Sequence, residues 1–189
     1  VAIARYEIAL GGEKVIIRDA FTPAVAPDGK RLAFVQSNPQ VGFPVLMLAD
    51  IDGGNPTVLA NPNPAFTSIS TIRWSPDGSQ LVFSARGGPT GGEGTTSSER
   101  SWLARLFGAR SASAHGEAGS LWIVQADGAG LRPLLPAVDD PLATWNPDGK
   151  TLMVSDWTEG LFTLDPATSE QTFLGVDARE FWALEWAVK

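Results

Sequence analysis

The chain of 189 residues contains no cysteine. That excludes a disulfide framework, thiolate catalysis and cysteine-bound zinc, though it leaves the compartment open. There is one histidine, His115, in a Ser/Ala/Gly segment. A lone histidine cannot build a multi-histidine metal site, and no Gly-x-Ser-x-Gly elbow stands ready to use it as a base. Positive charge is scarce: 14 Lys and Arg against 21 Asp and Glu, a formal net charge of -7. Broad electrostatic capture of nucleic acid or of an anionic membrane is therefore disfavoured. No apolar run approaches the roughly 18 to 20 residues of a spanning helix. No signal peptide is visible, and the chain starts at Val1 inside a strand-like segment, which reads as a processed or truncated product.

What is present is one phrase written three times. It reads AVAPDGKRLAF from Ala24, RWSPDGSQLVF from Arg73 and TWNPDGKTLMV from Thr144. In each copy an apolar residue or tryptophan (Val25, Trp74, Trp145) ends a strand. Then comes a turn: Pro27-Asp28-Gly29, Pro76-Asp77-Gly78 and Pro147-Asp148-Gly149. Proline presets φ for the first corner, aspartate bonds its own backbone, and glycine takes the left-handed conformation that returns the chain to a ladder. Alternation follows: Leu32 with Phe34, Leu81 with Phe83, and Leu152 with Val154 share a face at the strand period of two.

A second hairpin follows each copy. It turns at Asp52-Gly53-Gly54, at Asp127-Gly128-Ala129-Gly130 and at Asp165-Pro166-Ala167-Thr168. The N-terminal RYEIALGGEKVIIRD is a further hairpin of this kind, turning at Gly11-Gly12. Four-strand units recurring at roughly 40 to 50 residues are the signature of propeller blades. The competing reading is a β-sandwich with similar turns. The expectation is an all-β fold of four-stranded antiparallel blades. It has three full blades and partial terminal ones, with pieces over 1–20, 21–61, 69–136, 141–175 and 181–189. The last piece, FWALEWAV, is expected as a strand.

The phrases WSPDGSQLVFS and WNPDGKTLMVS, with LWIVQADGAGLRPL after the former, resemble the WD40-like PD40 repeat of TolB-like propellers. The resemblance covers nearly the whole chain outside residues 86 to 118. Val25 stands where the other copies have tryptophan, and Trp186 is followed by Ala-Val-Lys where a fourth phrase would begin. Rings of six or more blades are what the resemblance implies. The chain then reads as part of a larger propeller, with a four-bladed closed ring as the alternative. The resemblance also implies a non-enzymatic interaction or assembly module in the periplasm, at the cell surface or outside the cell. It leaves two alternatives: the accessory propeller of a prolyl oligopeptidase-like or tricorn-like hydrolase, and a glycan-binding propeller.

Candidate chemistry is thin. The stretch ARGGPTGGEGTTSS lacks the Gly-Lys-Ser/Thr of a phosphate loop and reads as a tether. DIDGGN, from Asp50, puts its glycines in the wrong places for a calcium loop and reads as a hairpin turn. Asp139 and Asp140 are neighbours in a turn, and adjacent side chains point apart. No cofactor, metal site or catalytic residue is expected. Trp74, Trp145 and Trp186 are read as core, and Trp157 as near the surface.

The non-repeating stretch is Arg86 to Ala118, between the second and third strands of a blade. Connections of that length in compact domains are functional or disordered. A helix over about 97–107 is expected within it, with Thr96-x-x-Glu99 as capping box and Gly108 as stop. Trp102, Leu103, Leu106 and Phe107 then gather on one stripe, with Arg100, Arg105 and Arg110 beside it. Three roles stand open: covering the propeller's own rim, docking in a protein partner's groove, or resting on a membrane surface without crossing it.

Overall fold

The computed structural model describes residues 1–9, 11–37, 42–89, 119–138, 141–178 and 183–186. Among them are fourteen strands in four separate antiparallel sheets. The first sheet is a hairpin of two strands, β1 (Ala2–Glu7) and β2 (Gly12–Arg18). The first full blade runs β3 (Ala20–Val25), β4 (Arg31–Ser37), β5 (Pro44–Asp50) and β6 (Thr57–Ala60). The second runs β7 (Phe66–Trp74), β8 (Gln80–Gly87), β9 (Gly119–Gln125) and β10 (Arg132–Val138). The third runs β11 (Leu142–Trp145), β12 (Leu152–Asp156), β13 (Gly160–Leu164) and β14 (Gln171–Val176). In each full blade the strands pair in sequence order, A to B to C to D.

The blades stack face to face because the B and C strands of the first two blades are apolar on both sides and those of the third on one. Leu81 and Phe83 join a cluster with Ala33, Val35 and Leu46 of the blade before. Val82 and Ile123, on the other side of the same sheet, join one with Leu152, Val154 and Phe162 of the blade after. The hairpin β1–β2 enters the same pattern, with Ile3, Ile16 and Ile17 packed against Leu32 and Phe34.

Its place in the series can be read from glycine contacts. Gly53, in the C–D turn of the first blade, has φ of 87°, and a Cβ there would lie 2.6 Å from the carbonyl oxygen of Ile16 in β2. Gly128, in the C–D turn of the second blade, has φ of 88° and sits the same way on Leu59 of the D strand β6, at 3.0 Å. Strand β2 is therefore a D strand, and β1–β2 is the C–D half of a blade. Among the described residues, β1 pairs with β2 alone.

Residues 183–186, the described part of the expected last strand, are not in a strand. A strand requires a partner edge. Here Leu184 is instead buried, and Glu185 lies 3.5 Å from Arg73 of β7. The closing of a three-stranded blade by this segment on β1–β2 is thus not formed in its described part. The expected helix over 97–107 lies outside the described residues, as do Asp139 and Asp140.

Candidate functional site

The Pro-Asp-Gly turns build one face of the molecule. In each, the glycine N–H donates to the carbonyl three residues back: Gly29 to Ala26, Gly78 to Ser75 and Gly149 to Asn146. The glycines have φ of 68°, 70° and 70°, conformations that a side chain resists. Each aspartate accepts the N–H two residues on: Asp28 from Lys30, Asp77 from Ser79 and Asp148 from Lys150. The carboxylates thus serve their own turns, as aspartate does in a turn of this kind.

The C–D turns lie on the same face and are tied to them. Ile51 donates to the Lys30 carbonyl and Ala126 to that of Ser79, each at 2.8 Å. The turns also reach between blades. A Cβ on Gly78 would sit 3.7 Å from Pro27, and one on Gly149 3.8 Å from Pro76. Each proline therefore packs beside the glycine of the next blade.

Asp77 has donors beyond the N–H of its own turn. Hydrogen bonds from the Ser75 hydroxyl (2.6 Å), the Ser79 N–H and the Ser79 hydroxyl hold its carboxyl below the usual range. Asp165 is lowered too, chiefly by the N–H groups of Ala167 and Thr168. In DIDGGN, Asp52 accepts from Gly54 and Asp50 accepts from the Asn55 amide, so this is a hairpin turn. Among the described residues, no group of three or more His, Cys, Asp or Glu could hold a metal ion.

The opposite face carries the root of the insertion. Strand β8 ends at Gly87 and β9 begins at Gly119. Gly88, with φ of 84°, donates to the Ala65 carbonyl, and a Cβ there would meet the Phe66 ring at 2.5 Å. Phe66 in turn stands edge-on to Phe83 and Trp122, at centroid distances of 5.5 and 5.1 Å. The segment therefore leaves the blade from a packed aromatic foot. Trp102, Leu103, Leu106, Phe107, Arg100 and Arg105 all lie outside the described residues.

Beside the foot is a cavity of ≈150 Å³ lined by Ser68, Ser70, Thr71, Ser84 and Leu142, among others. Thr71 donates to the buried Ser84 hydroxyl at 2.8 Å, and Ser84 donates to the Pro141 carbonyl of the next blade. Thr71 has φ of 47° and Thr22 has φ of 53°. Both lie three residues before the tryptophan position, at a register shift in the A strand. The repeated threonine was the available signal, but a bulge bends the strand without leaving a turn motif. Trp157 is 42% exposed, over a cavity of ≈580 Å³ that it shares with Glu159, Phe173 and Asp177.

No protein family's sequence profile matches the chain. Nor does any curated protein match it by sequence. Solved structures do. TolB from Acinetobacter baumannii superposes with a TM-score of 0.59 at 17% identity, over 93% of this chain and 38% of that one. A putative TolB from Agrobacterium tumefaciens gives 0.63 at 14%, over 93% and 55%. Pyrococcus horikoshii acylaminoacyl peptidase gives 0.59 at 17%, over 90% and 27%. The chain therefore spans between about a quarter and just over half the length of these structures. With its four-stranded sheets in series and its Pro-Asp-Gly turns on one face, the chain carries the TolB-like β-propeller fold.

Proposed function

We propose that this chain is a non-enzymatic scaffold of an extracytoplasmic assembly, and that the insertion over 86–118 engages a protein partner. The observation that carries this reading is the contrast at one loop position. The B–C connection of the third blade takes only the three residues between Asp156 and Gly160. That of the second blade leaves a rigid aromatic foot and returns only at Gly119. Rigid blades presenting a long segment lower the ordering cost of binding at its root.

The carboxylates described favour the reading as well, since those of the turns are occupied with local donors. The structural likeness to TolB proteins supports an extracytoplasmic setting, and the likeness to acylaminoacyl peptidase keeps an accessory role beside a hydrolase as the second reading.

The test replaces Trp102 and Phe107 with serine and measures pull-down of native partners. Loss of association with thermal unfolding unchanged supports docking through the insertion. Unchanged association with the fold intact ends it.

A further inference from the structure

We propose that the seam between the second and third blades binds a guanidinium group, free or carried on the arginine of a peptide, stacked on Trp145 and bonded to the Gly149 carbonyl. The site lies on the face of the Pro-Asp-Gly turns, opposite the root of the insertion. It goes beyond the scaffold reading and does not depend on it.

The template is the seam between the first and second blades. There the guanidinium of Arg31 lies over the Trp74 ring, 4.9 Å from its centroid. It donates to the Gly78 carbonyl at 2.9 Å and has the Asp28 carboxylate 4.0 Å away. The repeat carries three of these four groups into the next seam: Trp145 for Trp74, Gly149 for Gly78 and Asp77 for Asp28. The fourth is changed. Gln80, two residues after Gly78, holds the place of Arg31 and brings no charge. The turns themselves meet at the same spacing in both seams. A Cβ on Gly149 would sit 3.8 Å from Pro76, and one on Gly78 3.7 Å from Pro27. The changed seam opens a cavity of ≈460 Å³, lined by Gln80, Gln125, Arg132, Trp145, Gly149 and Asp165 among others. That volume falls within the roughly 300 to 1,000 Å³ of small-molecule sites. Both sheets that bound it have all four strands, so it lies between finished surfaces.

The chemistry selects a flat cation. A guanidinium stacks on an indole face and keeps its N–H groups for carbonyls in its own plane, which a compact ammonium does less well. Asp165, in the lining, is held below the usual carboxylate range by the N–H groups of Ala167 and Thr168, so it is charged at neutral pH. Two cations line the cavity as well. Arg132 donates to the Pro166 carbonyl, and Lys150 is exposed. They weaken the site, and the expected Kd is about 1 mM.

The test follows tryptophan indole N–H resonances by NMR while methylguanidinium, or N-acetyl-arginine methylamide, is titrated onto the full chain. Trp145→Phe identifies the Trp145 resonance by its loss. The expected result is a saturable shift of Trp145, with Trp74, already covered by Arg31, unmoved. Equal affinities support a site for the guanidinium group alone, and tighter binding of the arginine amide supports a peptide source. Gln80→Arg supplies the group from within the chain and should weaken binding by about tenfold or more, whereas Gln80→Ala should change it by less than about threefold. Arg31→Gln should make Trp74 respond as well. Thermal unfolding checks that each variant is folded. Four results would overturn the proposal: no saturable shift, an equal shift of Trp74 in the unaltered chain, binding undiminished by Gln80→Arg, or a stronger response to N-acetyl-glutamate methylamide, which would make the cavity a carboxylate site.

Discussion

The two complete seams of the propeller use the same repeat and are closed differently. Between the first and second blades, the Trp74 indole N–H donates to the Ala24 carbonyl at 3.0 Å. Arg31 lies over the Trp74 ring, 4.9 Å from its centroid, and donates to the Gly78 carbonyl at 2.9 Å. Between the second and third blades, Trp145 is just as buried, but its indole N–H meets no acceptor. The place of Arg31 is held there by Gln80, which lines a cavity of ≈460 Å³ with Trp145, Gly149 and Lys150. A different arginine, Arg132, crosses this seam to the Pro166 carbonyl on the C–D turn. Identical turns and matching tryptophans therefore do not make identical interfaces. The side chain two residues after the glycine differs between them: Arg31 lies over an indole in one seam, and Gln80 lines a cavity in the other.

The largest effect should come from emptying the closed seam. Trp74→Ala is expected to cost about 3 to 5 kcal/mol, from cavity formation and an unpaired carbonyl. Trp145→Ala should cost about 1 kcal/mol less, since no indole hydrogen bond is lost. Urea midpoints at constant slope measure both. Equal losses would show that the indole bond contributes nothing.

Trp→Phe sharpens the comparison by removing little but the N–H. The Trp74 exchange should cost about 1 to 2 kcal/mol more than the same exchange at Trp145, where an unsatisfied N–H is deleted.

Transplanting the cap is a smaller change. Gln80→Arg should raise stability by about 0.5 to 1 kcal/mol if the guanidinium settles over Trp145 as Arg31 does over Trp74. An unchanged midpoint would mean that the cavity, not the missing cation, limits this seam.

The smallest effect concerns acid. Asp77 is held below the usual carboxylate range, first by the Ser75 hydroxyl. The folded state then binds its proton less tightly than the unfolded state does. Its contribution is complete above the ordinary carboxylate value and is lost as pH falls through the depressed value. Ser75→Ala should therefore flatten the acid limb of the stability profile. Asn146→Ala, at the equivalent position of the third blade, should leave it unchanged.

The strand alternation and the turns were legible because their causes are local. Asp28, Asp77 and Asp148 bond residues two positions away, and the glycines close turns three residues long. A spacing of two or three survives in any linear reading. The seams were not legible in this way. Arg31 meets Gly78 across 47 positions and Trp74 meets Ala24 across 50. Nothing in the phrase marks Gln80 as a weaker closure than Arg31, because both are polar residues at an alternating position. The expected strand over 181–189 failed in its described part for a related reason. Trp186 matches the repeat position, but strand structure depends on a neighbouring edge, which spacing does not supply.

The sequence by itself determined the local grammar: where the chain turns, which residues face one way, how often the unit recurs, and where the recurrence is interrupted. These follow from φ preferences, side-chain-to-backbone bonds and a period of two, all of which act within a few residues. Only the tertiary structure decided how the units meet. It set Arg31 over the Trp74 ring and against the Gly78 carbonyl, and distinguished a seam with an indole hydrogen bond from one without. Those outcomes depend on which distant surfaces exclude water together, and burial belongs to the assembled blades rather than to any one phrase.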